Sequence, residues 1–309
     1  MNWLYADGFL NDLKLVMTNC KVKEKHIMLY SEKIKIFDKD HPRKTEIIDG
    51  ARFSYMLNGK EDGKTLVFLN GGMNTLEMWM DYADAFTDEY RALLFDYPQE
   101  LPTNRELVKG MHAFFEKIGV KNPIFVGASG GGMISQIYVQ QYPGEVGGLI
   151  LISTGGMDAD TIKKLKRQYR LAPLMLWYMK KCNYEKLKPK LIKLGMSNVR
   201  NESPEEIAYA KNMFETIFKD YKQEKDVHIS GLLADFMNQT PVTAADFSFL
   251  KGKILLILPN QDFFSGDMQE NLKNLMHEPK ISYVTGGHLS TITKSDAYIK
   301  TIREFLSSL

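Results

Sequence analysis

Cysteine is scarce in this 309-residue sequence, which contains only Cys20 and Cys182. The two lie far apart and neither belongs to a C-x-x-C pair, so neither a disulfide framework nor a cysteine-based zinc site is indicated. A chain of this kind suits a reducing compartment, and we expect it to be cytoplasmic.

Charge of one sign and long apolar runs are lacking too. Forty basic and thirty-eight acidic side chains leave a formal net charge of +2, which argues against a nucleic-acid partner. The opening residues, MNWLYADGFLNDLKLVM, have no basic segment ahead of a continuous apolar run, so no signal peptide is expected. No later stretch reaches the ~18 apolar residues of a membrane-spanning helix. We therefore expect a soluble protein without a transmembrane segment.

What is present is the composition of an ordinary globular protein, with 44% hydrophobic and 25% charged residues. Short apolar runs such as TLVFL, ALLF, PIFV, GLILI and KILLIL alternate with helical patterns. Strands that alternate with helices predict an α/β fold built on a mostly parallel, doubly wound sheet. The first two runs, TEII and ARFSYMLNG, are joined by Asp49-Gly50 and predict an antiparallel hairpin.

The strand rhythm stops in one long segment, residues 156–240. Leu, Met, Lys, Glu and Tyr recur there at helical spacing, and no run is typical of a strand. We interpret this segment as a helical cap inserted into an α/β core that comprises residues 44–155 and 241–309. Residues 1–43 are left as an N-terminal extension, in which a packed amphipathic helix is favoured over one that lies on a membrane.

The prolines and the charged residues of the cap sequence each support a prediction. Pro173, Pro189 and Pro204 are expected to divide it into three or four helices, because proline suits a first helical turn but not a helix interior. Residues 158–193 carry eleven Lys or Arg against three acidic residues. Solvated helix faces account for this excess; an anionic leaving group, carrier or membrane surface is the alternative.

The sharpest motif is Gly127-Ala128-Ser129-Gly130-Gly131, which follows the run PIFV and opens a helical pattern. A serine at a tight strand-to-helix turn has a strained backbone, and small neighbours give it room. The context predicts a nucleophile elbow that presents the Ser129 hydroxyl, with a plain glycine-rich turn as the alternative.

A serine hydroxyl is a poor nucleophile at neutral pH and needs a base, which in turn needs an orienting acid. His288 stands out among six histidines, since it follows the last apolar run, ISYVT, and precedes the closing helical pattern. Asp262 follows the run KILLIL and should lie at the same edge of the sheet. We predict His288 as the base and Asp262 as the acid, with Asp158 and Asp160 as alternative acids.

Acyl transfer also requires donors for the oxyanion that develops on the former carbonyl oxygen. One backbone N–H is expected from Gly130, directly after the nucleophile. The second is expected from the loop that follows the run TLVFL, where we favour Gly72 and keep Met73 as a substitute. A simple tight turn is the alternative interpretation of this loop.

Together these residues resemble the α/β-hydrolase superfamily over nearly the whole chain beyond the N-terminal extension. Ser129, Asp262 and His288 match the family's catalytic positions and follow its order of nucleophile, acid and histidine. The resemblance implies the α/β-hydrolase fold with an inserted cap, and a serine hydrolase without a metal or cofactor. The family commonly has His-Gly in the oxyanion loop, where this sequence has Asn70-Gly71.

The substrate is less sharply indicated than the fold. The segment 175–179, which includes Trp177, is densely apolar and aromatic, and we expect Trp177 and Met73 to line a site for an acyl or aromatic small molecule. Packing of the cap explains the same residues equally well.

Hydrolysis of a carboxylic ester through an acyl-enzyme is the leading functional prediction. An aminopeptidase or amidase, in which Glu205 or Glu206 holds a substrate amine, uses the same catalytic residues, as does a carbon–carbon bond hydrolase. A non-catalytic ligand-binding member of the fold is the alternative outside the enzymes.

Overall fold

The computed structural model describes residues 28–309. The amphipathic helix expected near the start of the chain falls outside these residues. The described part of the extension contains helix α1 (Tyr30–Asp40), which precedes the first strand.

Eight strands form one sheet. They are β1 (Lys44–Ile48), β2 (Ala51–Gly59), β3 (Thr65–Leu69), β4 (Arg91–Phe95), β5 (Ile124–Ala128), β6 (Gly148–Ile152), β7 (Ile254–Pro259) and β8 (Lys280–Val284). Their order across the sheet is β1-β2-β4-β3-β5-β6-β7-β8. Strand β2 pairs antiparallel with both β1 and β4, and all other pairs are parallel. This is the mostly parallel, doubly wound sheet that the sequence predicts.

The hairpin at the sheet edge turns through Asp49 and Gly50, with φ values of 49° and 87°. Two consecutive positive φ angles match the twist of a two-residue hairpin, and an Asp-Gly pair tolerates them best. The turn fixes the register, in which Ile48 faces Ala51.

Strands β3, β5, β6 and β7 are buried on both faces, which explains their uninterrupted apolar sequences, whereas the edge strand β8 is partly exposed. In β5, Phe125 faces one hydrophobic core, whereas Ile124 and Val126 face the other. Successive strand side chains point to opposite faces, so each run supplies both cores at once.

Helices cover both faces of the sheet. Those of the core are α2 (Met80–Phe86), preceded by a 3-10 turn (Leu76–Trp79), α3 (Asn104–Lys117), α4 (Gly130–Gln141), and α10 (Asp267–Leu275), α11 (Ser290–Thr293) and α12 (Ser295–Leu306) after the cap. Helices α3 and α4 pack on the face of Phe125, and α2 and α12 pack on the opposite face.

Five α-helices lie between β6 and β7 and are called the cap below. They are α5 (Ala159–Gln168), α6 (Ala172–Lys181), α7 (Tyr184–Met196), α8 (Pro204–Asp220) and α9 (Gln223–Asp235). The expectation of three or four helices was too low. Pro173 and Pro204 lie in first turns as expected, but Pro189 lies inside α7. The break before α7 is made by Asn183, whose side chain accepts a hydrogen bond from the amide of Lys186.

Helix α1 connects the cap to the core. The amide of Ser31 donates to Asn212 Oδ1 of α8 at 2.9 Å, and Lys33 forms an ion pair with Asp81 of α2 at 2.9 Å. Tyr30 is fully buried and its ring meets that of Tyr209 edge-on. The end of the extension is therefore part of the packed protein.

Candidate active site

Ser129 lies at the turn between β5 and α4. Its backbone has φ 53° and ψ −123°, a conformation that L-residues other than glycine rarely adopt. The amide of Ser129 donates to the carbonyl of Ile152 at 3.0 Å, and Thr154 Oγ1 donates to the carbonyl of Ser129 at 2.7 Å. The strained turn is thus held from the neighbouring strand, and the side chain faces the C-terminal edge of the sheet.

The glycines around Ser129 are required by close contacts between backbones. A Cβ on Gly127 would lie 2.7 Å from the carbonyl oxygen of Gly131, and a Cβ on Gly131 would lie 2.1 Å from that of Leu69. Both contacts are with backbone atoms, which cannot rotate away. Helix α4 can approach strands β3 and β5 this closely only because these side chains are absent.

Three side chains from separate strand ends meet in series. His288 Nε2 is 3.1 Å from Ser129 Oγ, while His288 Nδ1 is 3.0 Å and 3.2 Å from the two oxygens of Asp262. Ser129 follows β5, Asp262 follows β7 and His288 follows β8. The structure therefore brings together the three residues that the sequence singles out as nucleophile, acid and base.

The carboxylate of Asp262 is fully buried, and its Oδ1 also accepts a hydrogen bond from the amide of Phe264 at 3.0 Å. The His288 side chain is 14% exposed, and the ring of Phe263 lies 4.1 Å from the imidazole. An acceptor fixed at Nδ1 favours the tautomer whose Nε2 is free to receive the proton of the serine.

The loop that holds His288 is supported by a residue outside the three. Glu202, which precedes α8, accepts hydrogen bonds from the amide of Gly287 and from Lys294 Nζ, both at 2.7 Å. Its side chain is only 6% exposed. Burial acts to raise the pKa of Glu202, but the bonds from Lys294 and Gly287 outweigh it and lower that pKa overall. The sequence contains no signal for this contact, which joins residues 85 positions apart.

Gly130 directly follows the serine, and Gly72 lines the same cavity as Ser129. Gly130 is the first residue of α4, so its amide has no acceptor within the helix. The backbone of Gly71 lies so close to Ser129 that a Cβ built on Gly71 would be 3.1 Å from the Cβ of Ser129. Among residues 28–309, no acceptor is assigned to the amides of Gly72 and Met73.

Polar side chains fix the loop that carries Gly72. Asn70 Nδ2 donates to the carbonyl of Phe95 at 2.8 Å, and the hydroxyl of Tyr97 donates back to the carbonyl of Asn70 at 2.8 Å. From the cap, the hydroxyl of Tyr221 donates to the carbonyl of Met73 at 2.5 Å. Asn70, which stands where the family commonly has histidine, thus ties the loop to the end of β4.

A cavity of about 370 Å³ opens beside Ser129, between the sheet edge and the cap. Its lining is mostly apolar and comes from both regions: Gly71, Gly72, Met73, Met78, Trp79, Ala128, Leu191, Leu194, Phe214, Phe218, Leu233, Phe263, Leu289 and Ile292, with Ser129 and His288 at one side. Met73 lies where the sequence analysis expects it. Such a space suits an apolar group attached to a carbonyl.

Several other candidates lie elsewhere. Trp177 does not line this cavity; it is 60% exposed on α6, because the opposite side of that helix packs on the protein. Glu205 and Glu206 line a separate groove on the surface. Asp158 caps α5, where its Oδ1 accepts hydrogen bonds from the amides of Asp160 and Thr161. Neither Asp158 nor Asp160 is bonded to His288.

Asp226 of α9 is a cavity residue that no sequence motif indicates. It is 9% exposed, and within residues 28–309 its Oδ2 makes no hydrogen bond of regular geometry, although the hydroxyl of Tyr184 is a neighbouring polar group. The neighbouring Lys225 forms an ion pair with Asp96 at 2.9 Å. Burial raises the pKa of Asp226, although Tyr184 acts to lower it. In the sequence, Asp226 stands in the polar stretch QEKDVH, which is typical of an ordinary solvated helix face.

Within residues 28–309, no three His, Cys, Asp or Glu side chains lie close enough together to hold a metal ion. No helix in the same range is both long and apolar enough to cross a bilayer.

Comparison with known proteins places this geometry in context. A proline iminopeptidase of Pestalotiopsis fici is 25% identical over 284 residues, which cover 84% of this chain and 97% of the relative. A monoacylglycerol lipase of Xenopus laevis is 27% identical over 131 residues, covering 38% of this chain and 39% of the lipase. The crystal structure of an enol-lactonase from Burkholderia xenovorans superposes with a TM-score of 0.67 at 15% identity, covering 85% of this chain and all of the other.

The family model described as the alpha/beta hydrolase fold matches residues 64–295, which is most of the chain. The matched range includes the serine turn, the cap and the histidine loop. The architecture agrees, since solved hydrolases share the eight-stranded, mostly parallel sheet with flanking helices. The chain belongs to the α/β-hydrolase family, and its fold is the one that the sequence predicts.

Proposed function

We propose that this protein is a serine hydrolase that cleaves carboxylic esters through an acyl-enzyme intermediate. The observation that carries the proposal is the hydrogen-bonded series of Ser129, His288 and Asp262 at the side of an apolar cavity. A binding role alone would not require a nucleophile, a base and an oriented acid in contact.

The reaction follows from the positions of these groups. His288 Nε2 accepts the proton of Ser129 as Oγ attacks the ester carbonyl, and Asp262 stabilises the imidazolium that forms. The oxyanion receives hydrogen bonds from the amides of Gly72 and Gly130. His288 then donates its proton to the departing alcohol and later takes one from the water that hydrolyses the acyl-enzyme.

The cavity lining supports an apolar acyl or aromatic substrate. Leu191 and Leu194 of α7, Phe214 of α8 and Leu233 of α9 face this space, and each contributes only hydrocarbon. Removal of an apolar group from water contributes ~25 cal/mol per Å², so the lining favours esters with several carbons in the acyl part. In this proposal the cap selects the substrate and the α/β core, residues 44–155 and 241–309, performs the chemistry.

Cleavage of an ester or amide that bears a free amine is a second candidate, favoured by Asp226. Asp226 is a buried cavity residue that has the Tyr184 hydroxyl beside it but forms no ion pair within residues 28–309, in an environment where a carboxylate needs a cation or a donor. An ammonium group on the substrate would provide both. The similarity to a proline iminopeptidase over most of the chain supports the same candidate. Glu205 and Glu206 line a separate surface groove, so the proposal assigns the amine to Asp226 instead.

A panel of p-nitrophenyl esters with acyl chains of increasing length tests the first proposal. We expect turnover by the wild type, and loss of turnover in a Ser129→Ala variant that unfolds at the same temperature. A fluorophosphonate probe should attach to Ser129 and block catalysis. Equal turnover by the variant, or labelling at another residue, would refute the proposal.

A second panel compares aminoacyl esters and amides with analogues in which a methyl group replaces the ammonium. If Asp226 binds the amine, Asp226→Asn lowers kcat/KM for the amine substrates at least about tenfold and leaves the neutral analogues unchanged. Glu205→Gln is the matched control and should change neither. The same loss for both substrate types would contradict an amine site at Asp226.

A further inference from the structure

Helix α6 presents large apolar side chains to solvent. Fourteen large hydrophobic residues are exposed in the described range, and five of them lie between Leu171 and Tyr178. Leu174 is 62% exposed, Trp177 60% and Tyr178 53%. Soluble proteins scatter such residues singly, so five within eight positions mark an interaction surface.

The spacing places these residues on one outward face. Ala172 and Met179, seven residues apart, are buried against the protein. Leu174, Trp177 and Tyr178 follow at intervals of three and four, which is the spacing of one helix face, and this face is opposite the buried one. Solvent-facing sides of surface helices are normally polar, and here the polarity is reversed.

Basic residues flank the apolar face. Arg170 precedes α6, and Lys180 and Lys181 end it; all three are exposed. After a two-residue link, α7 exposes Lys186, Lys190 and Lys193 at the spacing of one face, together with Leu194. None of these six basic residues forms an ion pair with the acidic side chains of residues 28–309.

We propose that the exposed face of α6, with the basic residues that flank it on α6 and α7, docks on an anionic lipid bilayer. Trp and Tyr rings prefer the depth of the lipid headgroups, and Leu174 can enter the acyl region below them. Lysine side chains reach anionic headgroups along their flexible stems. Sites that bind proteins are enriched in Trp and Tyr but depleted in Lys, so the lysines favour lipid over a protein partner.

The proposed docking surface adjoins the cavity at α7, since Leu194 is both 68% exposed and a cavity residue. A bilayer against α6 and α7 would bring apolar esters to that side of the cap. The proposal does not depend on ester hydrolysis, because binding to vesicles is measured without turnover.

Flotation of the full chain with lipid vesicles tests the apolar part. We expect binding to vesicles that contain phosphatidylglycerol, and a loss of about tenfold or more in the Leu174→Ser/Trp177→Ser variant. Ile47→Ser is the matched control, since Ile47 is equally exposed, at 62%, on the edge strand β1. Binding that is unchanged in the double variant would overturn the proposal.

The double variant Lys180→Glu/Lys181→Glu tests the charged part of the surface. Its control is Lys109→Glu/Lys121→Glu, which changes the net charge by the same amount at exposed positions of the core. We expect the first pair to lose at least about fivefold per lysine and the second to lose little. Binding should also weaken in high salt. Equal binding to pure phosphatidylcholine, or a concentration-dependent dimer abolished by Trp177→Ser, would assign the face to another role.

Discussion

The α/β core and helix α6 of the cap use their apolar residues in opposite ways. In the core, strands β5 to β7 are buried almost completely, and each apolar residue packs against others. In the cap, α6 buries two of its ten residues and exposes apolar side chains. The core therefore fixes positions, as catalysis requires, whereas the cap offers surfaces on which a substrate or a partner can be selected.

The largest effect expected in the core is that of Asp262→Asn. The amide keeps the shape of the carboxylate but can stabilise the wrong tautomer of His288, so kcat should fall by about 10⁴-fold while folding is retained. Turnover of p-nitrophenyl butyrate and thermal unfolding measure both quantities.

Asp158→Asn is the matched control, because asparagine caps α5 as well as aspartate does. Its activity should stay within a factor of about two. A large loss in Asp158→Asn and a small one in Asp262→Asn would reverse the assignment of the acid.

Glycine-to-alanine substitutions compare the packing of the two regions directly. In Gly131→Ala the new Cβ would meet the backbone of Leu69, and we expect a loss of about 3 kcal/mol in the free energy of unfolding. Gly231 of α9 has no atom within 4 Å of such a Cβ, so Gly231→Ala should gain about 0.5–1 kcal/mol from helix propensity. Urea denaturation measures both; equal changes would show that core and cap are packed alike.

The same difference explains what the sequence could reveal. A strand buried on both faces appears as a continuous apolar run, as in Ile254–Pro259, and residues directly after such runs must lie at one edge of a parallel sheet. Ser129 and Asp262 can be selected on this basis from the sequence alone. His288 follows the partly exposed strand β8, and its place between that strand and the closing helix is what selects it.

The cap gave no comparable constraint. The apolar composition around Trp177 shows how hydrophobic α6 is, but only packing decides which way the helix faces, and it faces outward. Pro189 predicts a helix boundary, yet the tertiary context keeps it inside α7. Glu202 contacts Gly287 and Lys294, which are distant in sequence, and Asp226 lines a cavity formed by distant segments. No local pattern indicates either role.

Glu202 tests whether a residue near the cap positions the catalytic histidine. Glu202→Ala removes the acceptor for Gly287, next to His288, and we expect kcat to fall by about tenfold with KM little changed. Glu202→Gln keeps an acceptor oxygen and should recover much of the loss. If both variants lose the same activity, charge rather than the Gly287 contact is what matters.

The pH dependence of stability gives an independent measure of Glu202. Its pKa is lower in the folded protein than the ordinary value of 4.5. A carboxylate of this kind adds stability that is fully present above pH 4.5 and is lost as pH falls through the folded-state pKa. Acid should therefore destabilise the wild type more steeply than Glu202→Gln, as measured by denaturation at neutral and acidic pH.

Asp226 should behave in the opposite sense. Because burial raises its pKa above the ordinary value of 3.8, the folded protein loses stability as pH rises from there through the folded-state pKa. Asp226→Asn should thus be more stable than the wild type at neutral pH and equally stable in acid. A destabilised variant at neutral pH would mean that the carboxylate already has a partner.

The smallest expected effect is that of Trp177→Ala on soluble esters. Leu233 is the useful contrast: its methyl groups would lie 3.1 Å and 3.6 Å from Cβ atoms built on Gly130 and Gly72, beside the proposed oxyanion donors. Leu233→Ala should therefore shift the preferred acyl length and raise KM, whereas Trp177→Ala should leave kcat/KM within about a factor of two, since it removes no cavity wall.

Because Trp177 belongs to the proposed bilayer surface, Trp177→Ala should lose activity on esters presented in anionic vesicles. If Trp177→Ala also loses activity on soluble esters, Trp177 contacts the substrate, and the exposed face of α6 is then not separate from the cavity lining.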